Sequence, residues 1–172
     1  MKNKILLISI AVIILAVAGF FIFFQETSNA PTNLPSGEPA SFNLIFKYGV
    51  GVKNELNTFD QTYTKDMIMD PSVTIKFKLT DSELAGISQK ITDLKVFDKN
   101  EESAEGDVGM TRTPCSSYHL KAQKDSVLEE LSWDDCQGKI SDKLQQFTDY
   151  IIQIIESKEE YKNLPVPKGG YL

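Results

Sequence analysis

The sequence predicts an α+β domain of two layers: a mostly antiparallel sheet of about five strands, in the order β-β-β-α-β-β-α, with two helices on one face. Three observations predict it. Segments between Phe42 and Leu79 alternate apolar and polar residues with the period of a strand. Two later stretches repeat apolar residues at helical spacing. Between those stretches lies a segment, Cys115 to Cys136, that folds back on itself in one self-consistent register.

The elements follow in chain order. In SFNLIFKY, Ser41 to Tyr48, the side chains of Phe42, Leu44, Phe46 and Tyr48 share a face. Gly49-Val50-Gly51 then bends the chain into a second strand, LNTFDQTYTKDM. That strand is expected to carry Thr58, Thr62 and Thr64 on one side and Phe59 and Tyr63 on the other. Asp70-Pro71 reads as a turn. Val73, Ile75, Phe77 and Leu79 alternate with Thr74, Lys76 and Lys78, one face for the core and one for water. Thr80 to Leu94 reads as a helix opened by a T-x-x-E capping box, Thr80 and Glu83. Its stripe is Leu84, Ile87, Ile91 and Leu94. Asp98 to Thr113 is an acidic loop. A second helix runs from about Ser141 to Tyr161 on Ile140, Leu144, Phe147, Ile151 and Ile154, and Pro165 stops it.

The segment from Cys115 to Cys136 holds both cysteines, the only tryptophan and the only histidine. A hairpin turning at Asp125-Ser126 pairs Tyr118 with Trp133, Leu120 with Leu131 and Ala122 with Glu129 on one face. On the other face it sets Lys121 against Glu130 and His119 against Ser132. The same register pairs Cys115 with Cys136 at a non-hydrogen-bonded position, where Cα atoms approach to about 4.5 Å, within disulfide reach. Outside the cytoplasm two cysteines of one small domain pair, so a Cys115–Cys136 disulfide is expected. A zinc site on Cys115, Cys136 and His119 is short of ligands and has no standard spacing. A Cys115 nucleophile with His119 as base requires a free thiol.

The compartment follows from the N-terminus. MKNK precedes twenty apolar residues, Ile5 to Phe24, broken only by Ser9 and Gly19. Twenty helical residues span about 30 Å, the thickness of a bilayer core. Residues 1–24 therefore read as a transmembrane signal anchor, with the membrane contact through residues 5–24. Ala16-Val17-Ala18 and Ser28-Asn29-Ala30 keep open the alternative of cleavage and a secreted form. Basic residues before the span place the N-terminus in the cytoplasm and the rest outside. Residues 25–40 form a Pro-rich linker, residues 41–164 the extracytoplasmic domain, and residues 165–172 a tail.

Composition excludes several functions. Removing residues 1–24 takes away Lys2 and Lys4 and no acid, leaving 16 basic against 24 acidic residues, a net charge of −8. With one arginine, Arg112, no nucleic-acid partner is expected. The chain has no H-E-x-x-H, G-x-S-x-G or S-x-x-K motif. Calcium at the acidic residues 98–107 has hard oxygen ligands in its favour. Read as an EF-hand from Asp98, however, that loop has Ser103 at the glycine position and Gly109 at the glutamate position. It reads as a solvated loop, and no cofactor is expected. Gly49-Val50-Gly51 lacks the helix, third glycine and lysine of a phosphate loop. Trp133, Tyr118, Phe59 and Tyr63 read as core aromatics before they read as a binding stripe.

NELNTFDQTYTKDM (Asn54 to Met67), the DPSVTIKFKLTDSEL that follows closely and the ending YKNLPVPKGGYL resemble a group of short, N-terminally anchored, extracytoplasmic microbial proteins. That group has no assigned activity, so the resemblance implies the anchored single-domain layout and transfers no site residue. The expected function is a noncatalytic envelope domain that binds an unknown protein or small ligand through its Thr/Lys sheet face, hairpin or acidic loop. The alternative is a cell-surface hydrolase using acidic residues such as Asp134 and Asp135.

Overall fold

The computed structural model describes residues 41–98 and 113–171. The apolar segment 5–24, the linker 25–40 and residues 99–112 of the acidic loop lie outside them. Six strands run through the described residues: β1 (Phe42–Gly49), β2 (Asn54–Asn57), β3 (Thr62–Met67), β4 (Asp70–Lys76), β5 (Ser117–Lys124) and β6 (Val127–Asp134). They form one antiparallel sheet in the order β4-β3-β2-β1-β5-β6. Three helices complete the α+β domain: α1 (Asp81–Asp93), α2 (Asp142–Ser157) and the short α3 (Glu159–Lys162).

Alternation in β1 decides which face is buried. Leu44 and Phe46 are fully buried, and their cross-strand neighbours Leu56, Tyr63, Leu120 and Ala122 continue the same face. Onto it α1 lays Ile87 and Ile91, and α2 lays Leu144, Phe147, Ile151 and Ile155. Phe46 is the joint, with its ring edge-on to Phe147 at 6.0 Å and close to Tyr48, Tyr118 and Trp133. The helices pack closely because position 86 is glycine: a Cβ there would lie 2.6 Å from the Tyr150 hydroxyl.

The helix boundaries have local causes. Thr80 caps α1 as expected: its Oγ1 accepts from Glu83 N–H, and the Glu83 carboxylate accepts from Thr80 N–H. The second helix is shorter than the pattern to Tyr161 predicts. It ends at Ser157, because Lys158 takes an extended conformation, and a separate turn, α3, follows. Its buried stripe closes on Ile155, with Ile154 half-buried.

The meander departs most from expectation. LNTFDQTYTKDM is two strands joined by a turn at residues 58–61, so the sheet has six strands. The turn holds without glycine or proline. Asp60 N–H donates to Asn57 Oδ1, Asn57 Nδ2 donates to Asp60 Oδ2, and Gln61 takes a positive φ. The next turn is Ile68-Met69, not Asp70-Pro71, which open β4. The C-terminal segment, expected as a tail, docks on that turn. Lys168 bridges to Ile68 and ion-pairs with Asp70, and the Tyr171 hydroxyl donates to the Asp66 carboxylate.

Candidate functional site

The hairpin forms in the predicted register, Tyr118 against Trp133 and Lys121 against Glu130. Lys121 Nζ lies 2.9 Å from Glu130 Oε1. Asp125, at φ 54, makes the tight turn. At the open end Cys115 and Cys136 form a disulfide across Cα atoms 4.9 Å apart. That removes the thiol a Cys115 nucleophile would need, and it removes both cysteines as zinc ligands.

The polar face of the sheet is the face that the described helices leave open. One row of side chains crosses all six strands: Ser132, His119, Lys47, Glu55, Thr64 and Thr74. The row is internally bonded. His119 Nδ1 and Ser132 Oγ lie 2.9 Å apart, Lys47 Nζ and Glu55 Oε2 3.0 Å, and the hydroxyls of Thr64 and Thr74 2.8 Å. Such pairs fix side chains that would otherwise sample many rotamers.

A shallow depression of about 520 Å³ opens on this face at the β1–β5–β6 end. Lys47, Ser117, His119, Ser132 and Asp134 surround it, and Val52 adds an apolar wall. Gly49 stands in the register row of Ser117 and Asp134. Its φ of 91° favours glycine, and a Cβ would come within 2.9 Å of Asn54 Nδ2. The Gly49-Val50-Gly51 motif is thus a bend, and it leaves a gap in the row of side chains. The ring of residues offers an ammonium, an imidazole, two hydroxyls and a carboxylate. That set suits a ligand carrying both hydrogen-bond donors and acceptors.

The remaining residues singled out by the sequence pattern fall in different places. Thr62 and Thr64 lie on the open face, but Thr58 does not. It is buried in the turn, where its Oγ1 accepts from Leu44 N–H at 2.8 Å. Tyr118 and Trp133 stack at 5.4 Å against the core, and Tyr63 is fully buried. Phe59 is exposed and apart from them. Tyr63 shares its hydroxyl with Tyr48 at 2.7 Å, and burial pushes both phenols above the ordinary range. Asp134 accepts from the nearby Cys136 N–H, and Asp135 accepts from Ser116 N–H across the hairpin. Among the described residues no cluster of three His, Cys, Asp or Glu side chains could hold a metal ion. Acids 101–107 lie outside those residues.

Sequence reasoning set His119 against Ser132, as observed, but missed Lys47 and Ser117 as their neighbours. Lys47 meets His119 only through the β1–β5 pairing, a long-range contact that no local pattern announces. No protein-family profile matches the chain, and no curated protein matches it. Among the described residues no helix is long and apolar enough to cross a membrane.

Proposed function

We propose that the chain is a membrane-tethered extracytoplasmic domain that binds a ligand or partner on its open sheet face and performs no catalysis. One observation carries the reading. The sheet buries one face under helices and presents on the other a prearranged polar row with a depression at its end. A sheet face with no partner needs only to be wet. This one also fixes an imidazole, an ammonium and a carboxylate around a gap where glycine stands. The apolar run 5–24 and the resemblance to anchored envelope proteins support the location, and a tether raises the local concentration of such a binder.

His119 is the chain's single histidine, so an imidazole-specific acylating reagent reports this site alone. Labelling is compared on intact cells and on the purified full chain. The expected result is slower labelling of His119 on cells, where the natural ligand covers the face. Equal labelling in both settings sinks the reading. Failure of an impermeant reagent to reach His119 on cells, followed by labelling after lysis, overturns the external location.

A further inference from the structure

The two outer edges of the sheet are built differently. Edges expose unpaired backbone groups, and natural sheets blunt them with proline, charged side chains (lysine above all), bulges or covering segments. Strand β4 has all four. Pro71 lies within it, Lys76 ends it, its pairing with β3 shifts between Lys65 and Met67, and Lys168 of the docked C-terminus ion-pairs with Asp70. Among the described residues strand β6 has no proline, bulge or covering segment, and its charge is acidic only. It runs eight residues, VLEELSWD, paired with β5 in an unbroken register. Val127 and Leu128 are 62% and 51% exposed.

The free groups of β6 are identifiable. Asp135 N–H bonds to Ser116 O, which fixes the alternation of the ladder. Val127, Glu129, Leu131 and Trp133 then bond inward to β5. Leu128, Glu130 and Ser132 point their N–H and C=O groups outward, where no described strand pairs with them. The strand carries Glu129, Glu130 and Asp134 and no basic residue.

We propose that the outer edge of β6 is a docking edge for an extended segment of another protein, one that alternates basic with apolar residues. The segment adds a seventh strand. Its main chain bonds to Leu128, Glu130 and Ser132, and alternate side chains set the specificity. Its basic residues stand beside Asp134 and beside Glu130, whose carboxylate they share with Lys121, on the open face. Its apolar residues cover the flanks of Leu131 and Trp133 on the other. A second copy of β6 fits poorly, since it would bring an acidic strand with no basic residue against another like it. The β4 edge of a second copy would propagate an open chain of molecules, which the guards on β4 oppose. The inference rests on the binding reading but uses the edge of the sheet, not the depression on its face.

The test uses the full chain in mild detergent with two labelled synthetic peptides, one alternating lysine with valine and one alternating glutamate with valine. The lysine peptide is expected to bind, more weakly as salt rises, and to protect the amides of Val127–Asp134 from exchange. Glu130→Pro removes the central outward N–H and no ladder bond, and should weaken binding about tenfold or more, because main-chain bonds supply the affinity of an added strand. Glu130→Gln keeps that N–H and should weaken binding less. If E130P does not fold, Glu130→Lys decides: it must weaken the lysine peptide and admit the glutamate peptide. Equal binding of the two peptides to the native chain, protection mapped to β4, or E130P binding like the native chain overturns the proposal. So does a dimer of the full chain that E130P dissolves, since the occupant is then a second copy. His119 labelling stays unchanged in E130P when only the edge is at fault, which separates failure here from failure of the face reading.

Discussion

The β5–β6 hairpin and the β2–β3–β4 meander belong to one sheet, yet different forces specify them. The hairpin is a ladder of eight consecutive pairs with a tight turn at one end and a disulfide at the other. Each pair supports its neighbours, and every contact that sets the register is local in the chain. The meander is irregular. It holds a turn without glycine or proline, a bulge, and Ile68 at φ 64, a conformation a β-branched residue rarely adopts. Polar hooks centred on the buried Thr58 and Asp66 hold these features. Asn54 Oδ1 accepts from Asp66 N–H, Asp66 Oδ1 from Ile68 N–H, Thr58 Oγ1 from Leu44 N–H, and Asp66 Oδ2 from the hydroxyl of Tyr171. A ladder tolerates the loss of one rung. A hook leaves a buried group unpaired when its partner goes, so the meander should fail group by group.

The largest effect should come from the joint the two regions share. Phe46 is fully buried and touches rings from β5, β6 and α2. Phe46→Ala should cost about 3–5 kcal/mol, the range for truncating a buried phenylalanine. Denaturant unfolding measures it. Amides of both regions should lose protection together. Loss confined to one region would mean that the sheet is two cooperative units.

Next comes the staple. Cys136→Ser should cost about 2–4 kcal/mol, as expected for opening a loop of this length. Exchange should rise at the Cys115–Tyr118 end of the hairpin and little at β3. An unchanged melting temperature would mean that the ladder alone holds the hairpin. The corresponding break in the meander is Asp66→Ala, which frees Ile68 N–H and the Tyr171 hydroxyl. It should cost about 1–3 kcal/mol, the penalty for leaving polar groups that are partly shielded from water without partners. It should also release residues 165–171 to proteolysis while leaving the hairpin protected. Equal loosening of both regions would remove the distinction between ladder and hooks.

This division explains what the sequence shows. The hairpin register, the capping box and the apolar stripes were legible because each is written within a few residues of itself. The turn at residues 58–61 was not, because its glycine substitute is a pair of side chains, Asn57 and Asp60, whose roles depend on Thr58 reaching β1. The Ile68 turn was not legible either, since the residues that hold it include Tyr171 at the far end of the chain. The candidate site falls between these cases. His119 opposite Ser132 is readable from the hairpin, whereas Lys47 enters only with the β1–β5 pairing. That pairing joins distant segments that turn chemistry cannot align.

The smallest effect concerns the helical layer that covers both regions. Burial pushes the Glu83 carboxyl up, but hydrogen bonds from Lys158 and from the backbone and side chain of Thr80, with the lysine's charge, outweigh it. The carboxyl is held below its usual value. Lys158 Nζ lies 2.7 Å away and ties the start of α1 to the end of α2. The sign follows from linkage. Where the unfolded chain binds more protons than the folded one, stability rises with pH. The contribution of Glu83 is therefore full above the ordinary carboxylate value of 4.5 and is lost as pH falls through the lower folded value. Glu83→Gln should flatten that part of the pH–stability curve and leave neutral melting only slightly lower. Since α1 and α2 cover both regions, the flattening should appear equally in hairpin and meander amides. A change seen in the meander alone would tie the Lys158 contact to the polar hooks and extend that network from the C-terminus into the helices.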